Sequence, residues 1–267
     1  MAPKPLQDNV SRRKEASPVG KAIFIGLRAV DIWWQHRLLA RGWATKALTT
    51  FGGQSIPVTQ IVTSATLTGL QPYYSLVSLL SVGSSIKQIA TMMFVSEQET
   101  PVASAIAIAA FNSIFNSVNT LLSVWAVTSQ APSSGSSSLR DFPQFLLANP
   151  LIAIGAGAYL VGIVTEAVSE FQRTAFKKIP ANKGKPYGGG LFSLATNINY
   201  GGYTIWRTGY ALVTGGVPLA VLTFSFFFYD FAVRGVPVLD EYLMTRYGEA
   251  YEVIKSRVKY RLIPGIY

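Results

Sequence analysis

Five apolar runs, separated by short polar segments, set the pattern of this sequence from residue 73 onward. A helix needs about 20 mainly apolar residues to cross a bilayer, and each run has or approaches that length. The runs cover residues 73–95, 102–127, 145–169, 191–214 and 217–233. The last two are separated only by a glycine–proline break, which is a strong helix-breaking signal. A weaker candidate, rich in Thr and Ser, covers 54–71, so the pattern predicts five or six membrane-crossing helices.

Two other segments are amphipathic. Residues 21–50 mix apolar and basic positions, with tryptophan close to arginine, which is typical of a helix lying in the membrane interface. Residues 239–258 carry an apolar stripe at helical spacing and predict a second interfacial helix. Residues 1–20 are polar and predict a disordered tail. The predicted organisation is therefore a tail, an interfacial helix over 21–50, and a multipass membrane domain over 54–267.

Composition supports a membrane protein and excludes several kinds of site. The 267 residues are 49% hydrophobic and only 13% charged, whereas soluble domains carry roughly 25% charged residues. We therefore predict an all-α integral membrane protein. The chain has no cysteine, and His36 is its only histidine. Disulfides, cysteine-bound metals, histidine-based triads and multi-histidine metal sites are excluded, and no metal is predicted.

The net charge of +10 indicates membrane topology rather than nucleic-acid binding. Basic residues of membrane proteins gather on the cytoplasmic side. Residues 1–46 hold nine Lys and Arg, residues 171–186 hold five and residues 231–267 hold six, whereas residues 129–142 hold one. This distribution predicts cytosolic termini, which six spans would allow, and membrane lipids as the surrounding partner.

Polar groups beside apolar sequence form the first candidate site. Asn199 and Tyr200 precede two glycines; an amide can donate and accept hydrogen bonds at once, and glycine lets a ligand approach the backbone. Arg234 could grip a phosphate and Tyr242 could stack on a ring. The alternatives are a capped helix start for Asn199 and a membrane-edge role for Arg234.

A second group lies near the end of the 145–169 run. Glu166 and Glu170 are four residues apart and share a helix face, and Lys177 follows. A carboxylate entering an apolar segment should face protein or water rather than lipid. We expect Lys87 either to pair with Glu166, to bind an anionic head group or to extend to the membrane surface.

Three asparagines share one face of the 102–127 run, because Asn112, Asn116 and Asn119 are spaced by four and three residues. Amides at such positions commonly hydrogen-bond between membrane helices. We predict that structural role; a stripe lining a substrate pocket is the alternative.

The last third of the chain resembles the steroid 5α-reductase family, and most closely its fungal branch of multipass proteins; the isoprenylcysteine carboxyl methyltransferases are related. The resemblance covers about residues 160–267. It rests on the order and spacing of short matching pieces: Gly190-Leu191-Phe192, Asn199-Tyr200-Gly201-Gly202, Gly209-Tyr210-Ala211-Leu212, Arg234 eight residues before Tyr242, and Ile263-Pro264.

The resemblance implies a helical pocket on the cytosolic side of the endoplasmic reticulum membrane of a fungal cell. It implies an NADPH-dependent reductase of a C=C bond in a steroid-like or other hydrophobic lipid. The implied cofactor-binding residues are Asn199, Tyr200, Arg234, Tyr242, Lys177 and Glu166.

The chain departs from the family at the positions that perform the chemistry. The reductases polarise the substrate with a Glu on an early helix and a Tyr on the next; residues 54–71 contain no Glu, and 73–95 offer no matching Tyr. No catalytic residue is therefore assigned. Two alternatives stay open: an S-adenosylmethionine-dependent methyltransferase acting on a lipid or prenylated substrate, and a non-catalytic protein that retains the fold.

Overall fold

The computed structural model describes residues 13–56, 69–131 and 142–267. Helices account for most of these residues, and no strand occurs in the described ranges. The nine α-helices of these ranges are α1 (Pro18–Ala40), α2 (Trp43–Thr50), α3 (Pro72–Phe94), α4 (Val102–Val124), α5 (Phe142–Ala148), α6 (Pro150–Lys178), α7 (Ile198–Asp230), α8 (Val236–Tyr247) and α9 (Glu249–Arg257).

The predicted all-α membrane fold is confirmed. Within the described ranges, four helical stretches are long and apolar enough to cross a membrane: α3, α4, α6 and the continuous stretch Ile198–Tyr247. The predicted runs 73–95 and 102–127 agree with α3 and α4. The run 145–169 begins in the short α5 and continues as α6. Most of the weaker candidate 54–71 lies outside the described residues.

The stretch Ile198–Tyr247 is not straight, because α7 folds back on itself at Gly216. Gly216 has φ 68° and ψ −163°, a backbone region that essentially only glycine occupies. The aromatic rings of Tyr203 and Phe227 are 5.2 Å apart, whereas a straight helix would separate these residues by about 36 Å. Residues 198–215 and 217–230 therefore form two antiparallel arms, as the break at residues 215–218 predicts.

Helix α1 lies alongside α4 in the same direction. Thr100 N donates to Ser17 Oγ at 2.8 Å, Arg28 donates to Ser113 Oγ at 3.0 Å, and Gln35 donates to Ser117 Oγ at 2.9 Å. Residues later in α1 thus contact residues later in α4, so the two helices are parallel. Because α4 is a candidate span, this packing favours a membrane-crossing position for α1 over the interfacial position predicted for 21–50.

The polar side chains of α1 face the interior of the bundle. Arg28, Asp31 and Gln35 are buried, and Asp31 accepts hydrogen bonds from Gln35 at 2.9 Å and from Asn116 at 2.8 Å. Val30, Trp33 and Trp34 are exposed on the outer side. An amphipathic pattern arises in this case because the bundle interior is polar and the outside is apolar.

Helix α6 and the first arm of α7 pack with almost no side chain between them. A Cβ on Gly202 would lie 2.7 Å from the backbone of Glu166 and of Gly162, and one on Gly209 would lie 2.5 Å from Gly155 O and Tyr159 N. Small residues at membrane helix interfaces permit such close approach. The glycines therefore fix the separation of α6 and α7, which carry many of the candidate site residues.

The expected single helix over 239–258 is wrong in one respect, because the chain breaks at Gly248. This residue has φ 51°, and it separates α8 from α9. Tyr251, Ile254 and Val258 of the predicted apolar stripe are buried against Leu243, Met244 and Tyr247. After α9, Tyr260 and Arg261 accept hydrogen bonds from the backbone of Thr196 and Asn197, so the C-terminal tail joins the start of α7.

Candidate site at the bundle end

A cavity of about 850 Å³ lies at the end of the bundle where α3 and α6 end and where α4 and α7 begin. These helices alternate in direction, so polar residues from distant parts of the sequence reach one level. Lining side chains also come from α8 and α9, and residues 182–187 form part of the rim. The volume lies in the range of small-molecule and cofactor sites, roughly 300–1,000 Å³.

Five of the six predicted cofactor-binding residues line this cavity: Glu166, Lys177, Asn199, Tyr200 and Tyr242. Arg234 is not among the lining residues. Its Nε and Nη2 donate to the two carboxylate oxygens of Asp230 at 2.7 and 2.5 Å. Since Asp230 is four residues earlier in a helical segment, this pair is a local one along the helix.

Glu166 connects three helices at the inner wall. It forms an ion pair with Lys87 of α3, and its Oε2 accepts a hydrogen bond from the indole nitrogen of Trp206 at 2.7 Å. The pairing of Lys87 with Glu166, one of the three expected roles for Lys87, is thus the one that the structure has. A carboxylate held by donors from two other helices keeps its position.

One helical turn further, Glu170 holds Asn199. Glu170 Oε1 accepts from Asn199 Nδ2 at 2.7 Å, and Glu170 also pairs with Arg173. The amide oxygen of Asn199 is buried and has no hydrogen-bond partner among the described residues. A buried acceptor without a donor is costly, and this acceptor belongs to a residue of the cavity wall. Such an atom suits a ligand that donates an N–H or O–H group.

Aromatic rings form another part of the cavity wall. Tyr200 stacks on Phe231 with ring centroids 4.6 Å apart and planes 8° apart, and Tyr203 meets Phe231 edge-on at 5.7 Å. All three line the cavity. Phe231 directly follows the second arm of α7, in the π-helical turn Phe231–Gly235, so the fold at Gly216 positions this part of the wall.

Basic side chains surround the cavity mouth. Lys14, Lys177, Lys183 and Lys185 line it. Lys14 pairs with Glu97 and lowers the pKa of that carboxyl below its usual value, mainly by hydrogen bonding and further by charge. The mouth is therefore positive, whereas Glu166 and Glu170 lie deeper.

The three asparagines of α4 have the predicted structural role. Asn112 accepts from Gln88 at 2.6 Å, Asn116 donates to Asp31, and Asn119 accepts from Thr214 at 2.6 Å. Each of these bonds joins α4 to another helix. Asn112 also lines the cavity, so the alternative of a pocket-lining stripe applies to this one position.

Sequence reasoning assigned no role to Arg207, a cation within the apolar run 191–214. It is 1% exposed on the first arm of α7. Its guanidinium lies 4.3 Å from the ring centroid of Trp206 and 5.2 Å from that of Tyr203. The sequence feature that could have identified this residue is the presence of a cation within a predicted membrane-crossing helix. Over the described residues, no cluster of three or more His, Cys, Asp or Glu could hold a metal.

Comparison with known proteins gives two matches. Residues 26–258 match the family described as "Protein of unknown function (DUF1295)". The chain is also 38% identical over 237 residues to the "Probable O-methyltransferase ustE" of Ustilaginoidea virens, which covers 87% of this chain and 81% of that protein.

No solved structure gives a significant match. Neither match is described as a steroid 5α-reductase, so that narrower resemblance stays a prediction. The family match spans all the membrane helices from α3 onward and most of α1. This protein therefore belongs to the DUF1295 family.

Proposed function

We propose that this protein is a membrane-embedded O-methyltransferase that uses S-adenosylmethionine and acts on a hydrophobic small molecule. The observation that carries the proposal is the cavity, in which aromatic faces and two carboxylates lie beneath a positive mouth. The relative from Ustilaginoidea virens, described as a probable O-methyltransferase, supports this function over the reductase that the sequence resemblance implies.

The residues of the cavity fit the chemical groups of S-adenosylmethionine. A sulfonium cation is attracted by aromatic faces, such as Tyr200 and Phe231, and by carboxylates such as Glu166. The amide oxygen of Asn199, which has no partner among the described side chains, can accept a hydrogen bond from an amino group. Lys177 can pair with the carboxylate of the amino-acid moiety. When bound, the cofactor supplies an electrophilic methyl group.

The protein would contribute orientation and the exclusion of water. Glu166 is fixed by Lys87 and Trp206, and Asn199 is fixed by Glu170. These contacts hold the polar groups of the inner wall in one arrangement. The apolar residues that line the cavity on the α4 side, Ile108 and Phe111, suit a hydrophobic acceptor.

A reductase that uses NADPH is the second candidate, and one observation favours it. Arg173, Lys177, Lys183 and Lys185 line the cavity, and guanidinium and ammonium groups suit the phosphates of a dinucleotide. The absence of the Glu and Tyr pair described above disfavours this candidate.

Ligand binding to the purified full-length protein separates the candidates. We expect S-adenosylmethionine and S-adenosylhomocysteine to raise the melting temperature, and NADPH to leave it unchanged. Asn199→Ala should weaken binding of S-adenosylmethionine by about tenfold, because one hydrogen bond at the cavity wall is lost. Asn149→Ala, at the opposite end of α6, is the matched control and should bind as the wild type does.

Two other outcomes would overturn the proposal. Stabilisation by NADPH alone would support the reductase. Stabilisation by neither compound would support a non-catalytic protein that retains the fold.

We further propose that the protein lies in the endoplasmic reticulum membrane, as the family resemblance implies. Both termini would lie in the cytosol, as the distribution of Lys and Arg indicates. Imaging of a tagged protein in a fungal cell checks the location. A signal at the plasma membrane or the mitochondrion would contradict it.

A further inference from the structure

The charges inside the bundle do not balance at Arg207. In the described part of the chain, Asp31 pairs with Arg28, Glu166 with Lys87 and Glu170 with Arg173. The described ion pairs do not include Arg207, which is 1% exposed. A buried cation without a counter-charge is expensive in an apolar bundle.

Neighbouring groups satisfy only part of this guanidinium. Arg207 Nε donates to the hydroxyl of Tyr203 at 3.1 Å, and Nη2 donates to the amide oxygen of Asn112. Nη1 has no hydrogen-bond partner among the described residues. Four rings, those of Trp206, Tyr203, Phe115 and Phe227, lie 4.3 to 5.8 Å from the guanidinium carbon. Aromatic faces offset part of the cost of the charge but supply no anion.

The partners of Arg207 connect it to the cavity. Asn112, Tyr203 and Gln88 line the cavity at positions inside their helices, which we call its inner end. Arg207 is not itself a lining residue and reaches this end through its contacts with Asn112 and Tyr203. The amide oxygen of Asn112 accepts from Arg207 and also from Gln88 Nε2 at 2.6 Å. Two donors from different helices thus converge on one neutral oxygen at the cavity wall. An anionic oxygen at this place would meet the same donors and would form stronger hydrogen bonds.

We infer that the inner end of the cavity binds an anionic oxygen group of the hydrophobic substrate, and that Arg207 is the residue that recognises it. This inference rests on the proposed function and names its substrate class: an apolar molecule that carries a deprotonated acidic group. The anion takes the hydrogen bonds that Asn112 now accepts and pairs with the free Nη1. The apolar part of the substrate then extends along Ile108 and Phe111.

Direct binding measurements test this without the cofactor. The probes are 6-phenylhexanoate and its neutral counterpart 6-phenylhexanamide, titrated calorimetrically into the full-length protein in neutral detergent. We expect the carboxylate to bind at least about tenfold more tightly than the amide, which one charge-assisted hydrogen bond can provide. Equal binding of the two probes by the wild type would overturn the inference.

Arg207→Met is the decisive variant, because replacing a buried ion by an apolar side chain of similar length is often tolerated. We expect this variant to fold and to lose the preference for the carboxylate. Arg246→Met, at the cavity mouth, is the control and should keep the preference. Retention of the preference by Arg207→Met would assign the anion to another group. If Arg207→Met does not fold, Asn112→Asp replaces it: this variant places a carboxylate against Arg207 and should lose the preference, and retention of the preference would overturn the inference.

Binding of S-adenosylmethionine separates this inference from the proposed function. A protein that prefers the carboxylate but does not bind S-adenosylmethionine would contradict the methyltransferase and retain the anion site. A protein that binds S-adenosylmethionine but does not distinguish the probes would contradict the anion site alone.

Discussion

The indole nitrogen of Trp206 donates a hydrogen bond of 2.7 Å to the carboxylate of Glu166. This bond crosses the interface between α6 and α7 at the level where Lys87 of α3 reaches the same carboxylate. Both side chains of the ion pair are largely buried, with 10% and 13% of their surface exposed. The inner wall of the cavity is thus held by one carboxylate shared among three helices.

Removal of this carboxylate should be costly for stability. Glu166→Gln keeps an acceptor for Trp206 but leaves Lys87 buried without its counter-charge, so we expect a loss of about 3 kcal/mol in the free energy of unfolding. The double variant with Lys87→Met should recover most of this loss. Denaturant unfolding of the two single variants and the double variant measures the coupling. A loss in the double variant equal to the sum of the two single losses would show that Glu166 and Lys87 do not stabilise each other.

A methyl group between α6 and α7 should disrupt their packing. A Cβ on Gly202 would lie 2.7 Å from backbone atoms of Glu166 and Gly162. Backbone atoms cannot move aside without separating the helices, so Gly202→Ala should cost about 3 kcal/mol. Gly157→Ala is the matched control, since a Cβ there meets nothing within 4 Å.

The control should be neutral or stabilising by up to about 1 kcal/mol, because alanine is the better helix former. Thermal unfolding in detergent checks both variants. Similar melting temperatures for Gly202→Ala and the wild type would mean that the two helices do not pack as closely as described.

The packing of α1 along α4 predicts that α1 crosses the membrane. Arg41 follows the C-terminal end of α1, whereas Lys183 lies at the cavity mouth at the other end of the bundle. Single cysteines at these two exposed positions should therefore react with an impermeant maleimide from opposite sides of sealed microsomes. The natural chain has no cysteine and gives the unlabelled control.

A third cysteine, at Ser134 in the predicted non-cytoplasmic loop outside the described residues, should react from the same side as the cysteine that replaces Arg41. If the cysteines at positions 41 and 183 react from the same side, α1 does not cross the membrane, and the interfacial position first predicted for residues 21–50 is correct.

The Lys14–Glu97 pair predicts a small pH dependence at the cavity mouth. The pKa of the Glu97 carboxyl is lowered in the folded protein, chiefly by the hydrogen bond from Lys14 and further by the charges of Lys14, Lys177 and Lys178. The pair therefore contributes stability that is fully present above the usual value of 4.5 and is lost as the pH falls through the lowered value. Because about half of each side chain is exposed, the contribution is about 0.5 kcal/mol.

Hydrogen exchange measures this effect locally. The backbone amide of Glu99 donates to Arg13 O at 2.9 Å and reports on the anchoring of residues 13 and 14. Glu97→Gln should speed exchange of this amide at neutral pH and remove the difference between neutral and acidic conditions, after correction for intrinsic exchange. Identical protection in wild type and Glu97→Gln would contradict a role of the pair.

The sequence pattern predicted the helices that face lipid better than those that face polar protein. The ends of α3 agree with the predicted run to within one residue, and the break after Thr214 was visible as Gly215-Gly216. Helix α1 was harder to place, because the same alternation of polar and apolar positions suits two environments. Contacts in the structure, such as those of Asp31 with Asn116 and of Gln35 with Ser117, show that its polar face points into the bundle.

For the candidate site, sequence identified residues but not their partners. The i,i+4 spacing of Asp230 and Arg234 is present in the sequence, but the local ion pair was not predicted from it. In contrast, the contact of Glu170 with Asn199 and that of Arg207 with Asn112 join positions 29 and 95 residues apart. Such distances along the chain leave no periodic signal, so only the packing of the helices shows them.

Gly216 lies far from the cavity, yet it sets the cavity's shape. The 13 residues of helix from Tyr203 to Gly216 span about 20 Å, and the returning arm brings Phe231 back beside Tyr200. A small change in the angle of that turn would displace residues at the far end of the arm more than residues near Gly216. The specificity of the pocket can therefore change through substitutions at the opposite membrane face, without any change in the residues that touch the ligand.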